Sequence, residues 1–190
     1  ATGLGQAPLV VVDIGGGSTE VAVGRREGRN DADPAFVASV GIGAVRLTER
    51  LLVSDPPTRE QVMKADAVVR RALEEAVPER WRREVRTGLG VAGTITSLVM
   101  YGRGMHEYRL DLVHGAFLAV AAVDEAIEAF ARMTNRERRG LPGIEPGRHD
   151  VILAGALIAR RACDTFGLPG LTCVEADLLE GAALELAGSV

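Results

Sequence analysis

Aromatic residues are scarce in this chain, at 4% of the total, so its core must be built mostly from Val, Leu, Ala and Ile. Cysteine is scarcer still. Cys163 and Cys173 both lie in apolar surroundings without metal-ligand spacing, and they read as small core residues rather than disulfide partners. No stretch offers the roughly 18 uninterrupted apolar residues that a membrane span requires; the longest apolar helical run, Ala116–Ala131, is broken by Asp124, Glu125 and Glu128. Ala1–Pro8 has neither a basic start nor an apolar segment, so the expected compartment is the cytoplasm. A net charge of −4 argues against a broad electrostatic footprint for DNA. Any polyanion must be gripped locally. His106, His114 and His149 show no metal spacing and receive no role.

What is present is an ordinary soluble composition, 47% apolar and 25% charged over 190 residues, enough for one well-buried core. Its most informative stretch is Leu9-Val10-Val11-Val12-Asp13-Ile14-Gly15-Gly16-Gly17-Ser18-Thr19-Glu20. The apolar run predicts a strand buried on both faces and ending at Asp13. Glycine is used where backbone turns sharply or comes within contact distance of something else. Gly15, Gly16, Gly17 and Ser18 can gather their N–H groups into a concavity for anionic oxygens. Asp13 and Glu20 flank this donor loop, an arrangement that makes sense if a divalent cation such as Mg²⁺ takes carboxylate, water and phosphate oxygens together.

Further along, Thr19–Gly24 and Ala35–Val40 read as a second and third strand around a polar connection. Ala44–Leu52 reads as a helix. Thr58 and Gln61 have the form of a capping box, followed by apolar residues at helical spacing that stop near Pro78. The arginines at 80, 82, 83 and 86 read as solvated surface. Leu89–Ala92 predicts a fourth strand leading through Gly93 and Thr94 into a helix. The formal G-x-G-x-x-G of Gly88–Gly93 is a weak dinucleotide signal, because no buried strand precedes it. Gly115–Met133 predicts a long helix whose stripe of Phe117, Val120, Val123, Ile127 and Phe130 is core or subunit contact, which leaves a homodimer open. Thr134–Gly147 reads as irregular, with Arg136, Arg138 and Arg139 turned to solvent or guiding a long anion. A helix over Val151–Phe166, a strand over Leu171–Val174 and a closing helix over Asp177–Leu186 complete the order βββαβαβα with helical insertions. This is a single α/β domain, a mixed sheet of about five strands with helices on both faces.

In that order, Asp13–Glu20 resembles the second phosphate loop of the Ppx/GppA family, the exopolyphosphatases and guanosine pentaphosphate phosphohydrolases. The likeness continues in Ser39–Glu49, Gly90–Thr94 and Gly147–Ile152. The resemblance implies an actin-like ATPase (ribonuclease H-like) domain. It also implies that residues 1–190 form the C-terminal half of a two-domain phosphatase, with a catalytic glutamate supplied by an N-terminal domain, so that this chain alone is expected to be inactive. By the same resemblance Gly15–Ser18 and Arg148 would bind phosphate, Asp13 and Glu20 would organise Mg²⁺ and assist catalysis, and Gly93 and Thr94 would lie near a nucleoside. Inorganic polyphosphate or guanosine penta- or tetraphosphate is the implied ligand. The phosphate loop alone is equally compatible with a sugar or acyl kinase half-domain, or with a binding module that does no chemistry.

Overall fold

A computed structural model of the chain describes residues 7–24 and 34–175. Six strands form one mixed sheet: β1 (Leu9–Ile14), β2 (Thr19–Gly24), β3 (Phe36–Val40), β4 (Thr87–Val91), β5 (Phe117–Ala119) and β6 (Gly170–Cys173). Their spatial order is β3-β2-β1-β4-β6-β5. The first three strands are an antiparallel meander. β4 then joins β1 in parallel and β6 joins β4 in parallel, while β5 closes the edge antiparallel to β6.

The first strand alternates rather than being buried on both faces. Val10, Val12 and Ile14 are buried and Leu9, Val11 and Asp13 are half-buried. The register carries the buried set across the sheet, pairing Val10 with Val23 and Val12 with Val21. On that face lies α8 (Ile152–Phe166), whose alanine-rich sequence lets neighbours approach from several sides. Around α8 pack α1 (Ala44–Leu51), α2 (Arg59–Ala76), α4 (Ala92–Gly102) and α6 (Val120–Arg132). The expected helical cover of both faces is thus seen on one face among the described residues, and the closing helix predicted at Asp177–Leu186 falls outside them.

Local chemistry sets the boundaries. Thr58 accepts from the Gln61 amide at 3.2 Å and the Gln61 side chain accepts from the Thr58 amide at 3.2 Å, the capping box expected at the start of α2. Gly88 and Gly90 lie within β4 because a Cβ at Gly88 would stand 2.6 Å from Leu168 and Leu171, and one at Gly90 2.9 Å from Ile95. The predicted helix over Gly115–Met133 begins instead at Val120. Phe117–Ala119 pairs with β6, which adds the sixth strand and leaves Phe117 54% exposed rather than in the core stripe. Two further short helices lie in the arginine-rich stretches, one where a solvated surface was read and one within the stretch read as irregular. α3 (Glu79–Glu84) buries Trp81 beneath Arg80, 4.7 Å from its ring centre, and α7 (Asn135–Arg138) is capped by Thr134 and Glu137. The remaining turn is α5 (Leu110–Val113). Cys163 and Cys173 are buried free thiols, as expected.

Leu73 on α2 is fully buried, whereas Met63 on the same helix is 61% exposed. Leu73→Ala is expected to cost about 2–5 kcal/mol and Met63→Ala close to nothing, measured by urea unfolding.

Candidate functional site

The glycine loop joins β1 to β2 and is locked onto α1 through its carbonyls. Gly43, at the N-cap of α1, offers no side-chain acceptor. The helix's orphan N–H groups are satisfied from outside: Ala44 donates to the Gly15 carbonyl at 2.9 Å, and Val45 and Arg46 donate to the Gly16 carbonyl at 2.9 and 3.1 Å. In a trans peptide the C=O and the following N–H point opposite ways. Fixing the carbonyls of Gly15 and Gly16 on the helix therefore turns the amides of Gly16 and Gly17 away from it. Neither amide has an intramolecular acceptor among the described residues.

One expectation for the loop needs correction. The Gly15 amide is spent internally, donating to the Ser18 carbonyl at 3.0 Å, so Gly15 contributes its carbonyl and not a free donor. None of the three glycines adopts left-handed φ. They serve the expected close approach: a Cβ at Gly16 would lie 3.1 Å from Val45, and one at Gly43 would lie 2.4 Å from the Gly16 oxygen.

Asp13 and Glu20 are directly paired across β1 and β2, on the same face of the sheet. The Glu20 carboxylate accepts from the Ser18 hydroxyl at 2.6 Å and from the Ser39 hydroxyl at 2.9 Å. Ser18 thus orients an acid, a role sequence reasoning missed, and Ser39 joins it from β3. Burial, and after it the charge of Glu20, raises the Asp13 carboxyl above its ordinary range. Among the described residues no group of three or more His, Cys, Asp or Glu gathers that could hold a metal ion. A hard cation held by the acid pair would leave most of its positions to water and to ligand oxygens.

The third part enters from α4. Thr94 donates to the carbonyl of Ile14 at 3.2 Å and is itself buried, so its hydroxyl ties the start of α4 to the end of β1 and is not free for a ligand. Ala92, beside it, has φ 67°, a left-handed conformation that costs an ordinary residue about 1–2 kcal/mol. Over Gly93 lies the guanidinium of Arg148, so close that a Cβ on Gly93 would fall 2.1 Å from it. Arg148 Nε donates to Glu145 at 2.9 Å. A cavity of about 1220 Å³ opens beside Gly93 and Arg148 and is also lined by Tyr108, Asp111, Glu145 and Glu175. Its lining sets these acids beside the Arg148 guanidinium. Arg46, unassigned in the sequence analysis, is exposed and stands near Gly17. Arg138, expected in solvent, is 3% exposed.

The whole chain answers to one family: the model described as the Ppx/GppA phosphatase family matches residues 2–189. The chain belongs to the Ppx/GppA phosphatase family. It is 41% identical over 188 residues to exopolyphosphatase 2 of Mycobacterium tuberculosis, an alignment that takes in 96% of this chain and 56% of that protein. A bifunctional 3-dehydroquinate synthase/phosphatase of Fusobacterium nucleatum is 31% identical over 180 residues, covering 93% of this chain and 26% of its own length. Among solved structures, the Ppx/GppA family member of Aquifex aeolicus superposes with a TM-score of 0.86 at 29% identity, over 97% of this chain and 57% of that one. The fold is the actin-like fold of these Ppx/GppA neighbours. The chain therefore spans little more than half the length of the exopolyphosphatase it matches. No described helix is long and apolar enough to cross a membrane.

Two substitutions test the geometry of this Ppx/GppA loop. Gly43→Ala drives a methyl group into the Gly16–Gly17 backbone and is expected to destabilise the chain by about 1–3 kcal/mol, read by urea unfolding. Asp13 has the opposite sign. Because its carboxyl is raised, the folded chain holds a proton that the unfolded chain has lost once pH exceeds about 3.9. The cost of ionising it grows as pH climbs through the folded value. Asp13→Asn is thus expected to raise the melting temperature at neutral pH, with the gain vanishing below the ordinary aspartate range; a loss at neutral pH would contradict the assignment.

Proposed function

We propose that this chain forms one wall of a phosphohydrolase site that removes the terminal phosphate of inorganic polyphosphate, guanosine pentaphosphate, or both. The observation that carries this reading is the pair of outward amides at Gly16 and Gly17 beside the opposed acids Asp13 and Glu20. Family membership and the similarity to an exopolyphosphatase support the same chemistry. The relatives extend well beyond the matched region, and the other wall, with the glutamate that would activate water, is assigned to an N-terminal domain of a longer protein.

The donor set fits Mg²⁺. Two carboxylates facing each other across adjacent strands repel, and a divalent cation removes that repulsion while leaving positions for water and phosphate oxygens. When bound, the ion would neutralise charge on the phosphate oxygens as the P–O bond to the leaving group breaks. The remaining work falls to the chain's own groups. Gly16 and Gly17 hold oxygens of the terminal phosphate by charge-assisted hydrogen bonds. Glu20, fixed by Ser18 and Ser39, and Asp13 orient the cation and its waters. Arg148 pairs with a phosphate oxygen in place of Glu145. The acid-lined cavity beyond Gly93 suits the hydroxyl and amino groups of a nucleoside better than another phosphate, consistent with a guanosine nucleotide as one substrate.

In the full-length protein, orthophosphate release from polyphosphate without any added acceptor is expected in the presence of Mg²⁺. Glu20→Gln is expected to lower kcat by about 10²–10³, the worth of one preorganised charge-stabilising group. Release that requires an alcohol or acyl acceptor would assign a kinase instead, and binding without turnover would assign a regulatory module. The isolated chain is expected to turn over negligibly. Mg²⁺ with tripolyphosphate is expected to raise its melting temperature, and Asp13→Asn with Glu20→Gln to abolish that rise.

A further inference from the structure

Arg138 holds a position its sequence context hides. It lies at the end of α7, 3% exposed, in a run of arginines of which Arg136 and Arg139 are exposed. Burying a guanidinium is costly unless its donors are met. Here they are met almost wholly by main chain. Nη1 donates to the carbonyls of Phe130 and Met133, both at 2.7 Å, Nε donates to the carbonyl of His149 at 2.8 Å, and Nη2 donates to the Asn135 side chain. Phe130 and Met133 stand at the C-terminal end of α6, where exposed carbonyls favour a cation. His149 stands in a different segment, next to Arg148. One buried side chain therefore ties the end of a core helix to the backbone that carries the phosphate-facing arginine.

The segment between them is pinned at two other points. Gly143 has φ 74° and packs so tightly on α4 that a Cβ would lie 2.5 Å from Met100 and from the Tyr101 amide. Arg148 itself closes a helical turn, its amide donating to Glu145 at 3.0 Å and its carbonyl accepting from Val151 and Ile152. Between these anchors the guanidinium of Arg148 lies over Gly93, with Glu145 as its ion-pair partner among the described residues. The Arg138–His149 bond fastens the turn bearing Arg148 to the end of α6, beside a second contact at 3.3 Å between the Arg139 guanidinium and the His149 ring.

We infer that Arg138 is a positioning residue for anion binding: it fixes the Arg148–His149 turn so that the Arg148 guanidinium stays at Gly93, next to Thr94, whose hydroxyl bonds the end of β1. The inference rests on the assignment of Arg148 to the phosphate, made above. It makes Arg138 act through Arg148 and not by touching substrate. Its direct acceptors are three carbonyls and the Asn135 side chain, and the carboxylates of Asp55, Asp150 and Glu137 also favour its charge.

The test is a double-mutant cycle in the full-length protein, with orthophosphate release from polyphosphate read as KM and kcat, and melting temperature read alongside. Arg148→Ala is expected to raise KM roughly tenfold or more, the worth of one charge-assisted contact. Arg138→Lys keeps the charge but cannot reach all four acceptors. It is expected to raise KM roughly three- to tenfold at nearly unchanged kcat, and to add nothing in the Arg148→Ala background. Asn135→Ala, which removes one acceptor and leaves the arginine intact, is expected to act in the same direction at smaller amplitude and serves where Arg138→Lys does not fold. Equal effects of Arg138→Lys, or of Asn135→Ala where it stands in, with and without Arg148 would overturn the inference and leave Arg138 a packing residue. If Arg148→Ala leaves KM unchanged, the phosphate role of Arg148 falls, and the positioning role falls with it.

Discussion

The arrangement depends on one set of main-chain hydrogen bonds, those from the first turn of α1 to the carbonyls of Gly15 and Gly16. A helix that starts at glycine, with no side-chain cap, has donors to spare, and an unmet buried donor costs about 1–3 kcal/mol. The glycine loop meets them. In doing so it cannot rotate its peptides without losing two or three bonds together, so the outward direction of the next two amides is fixed before any ligand arrives. That is the preorganisation an anion site needs, and it is achieved without placing a positive side chain in the loop.

The same economy explains the acids. Like charges directly opposite on adjacent strands are destabilising, yet Asp13 and Glu20 are so placed, and the two hydroxyls on Glu20 hold its carboxylate in that position rather than letting it swing away. Ala92 adds backbone strain at the junction of β4 and α4. Local rules are broken at a loop, a strand pair and a helix start that Thr94 joins through Ile14. Such violations persist where surrounding structure over-determines them, and they cluster where a ligand is handled.

Much of this was legible in the sequence because short-range chemistry carries it. The meander, the capping box at Thr58 and the helix boundaries near Ala44, Ala76 and Phe166 follow from periodicity, turn residues and capping, which act within a few positions. The opposition of Asp13 and Glu20 also follows from local register, since a tight loop between two strands pairs the residues on either side of it. Phe117–Ala119 was illegible for a converse reason: its composition suits the helix that follows, and only the free edge of β6 makes it a strand. The spent Gly15 amide and the engaged Thr94 hydroxyl were equally hidden, because their partners, Ser18 backbone and Ile14 backbone, carry no sequence signature.

Arginines were the hardest residues to sort, and the reason is instructive about anion sites in general. Arg136, Arg138, Arg139 and Arg148 share a composition that reads as solvated surface, yet the fold sends Arg138 inward to carbonyls and leaves Arg148 over a glycine. Carbonyl acceptors are available at every helix end and have no identity in the sequence, so a buried arginine that uses them cannot be told from an exposed one by spacing alone. Electrostatics gives the choice its meaning. Dipolar carbonyls at a helix end stabilise the buried cation, and the carboxylates of Asp55, Asp150 and Glu137 add to that. The direct partners of Arg138 are uncharged and that of Arg148 is a carboxylate: the first join the end of α6 to the turn before α8, and the second holds a guanidinium over Gly93.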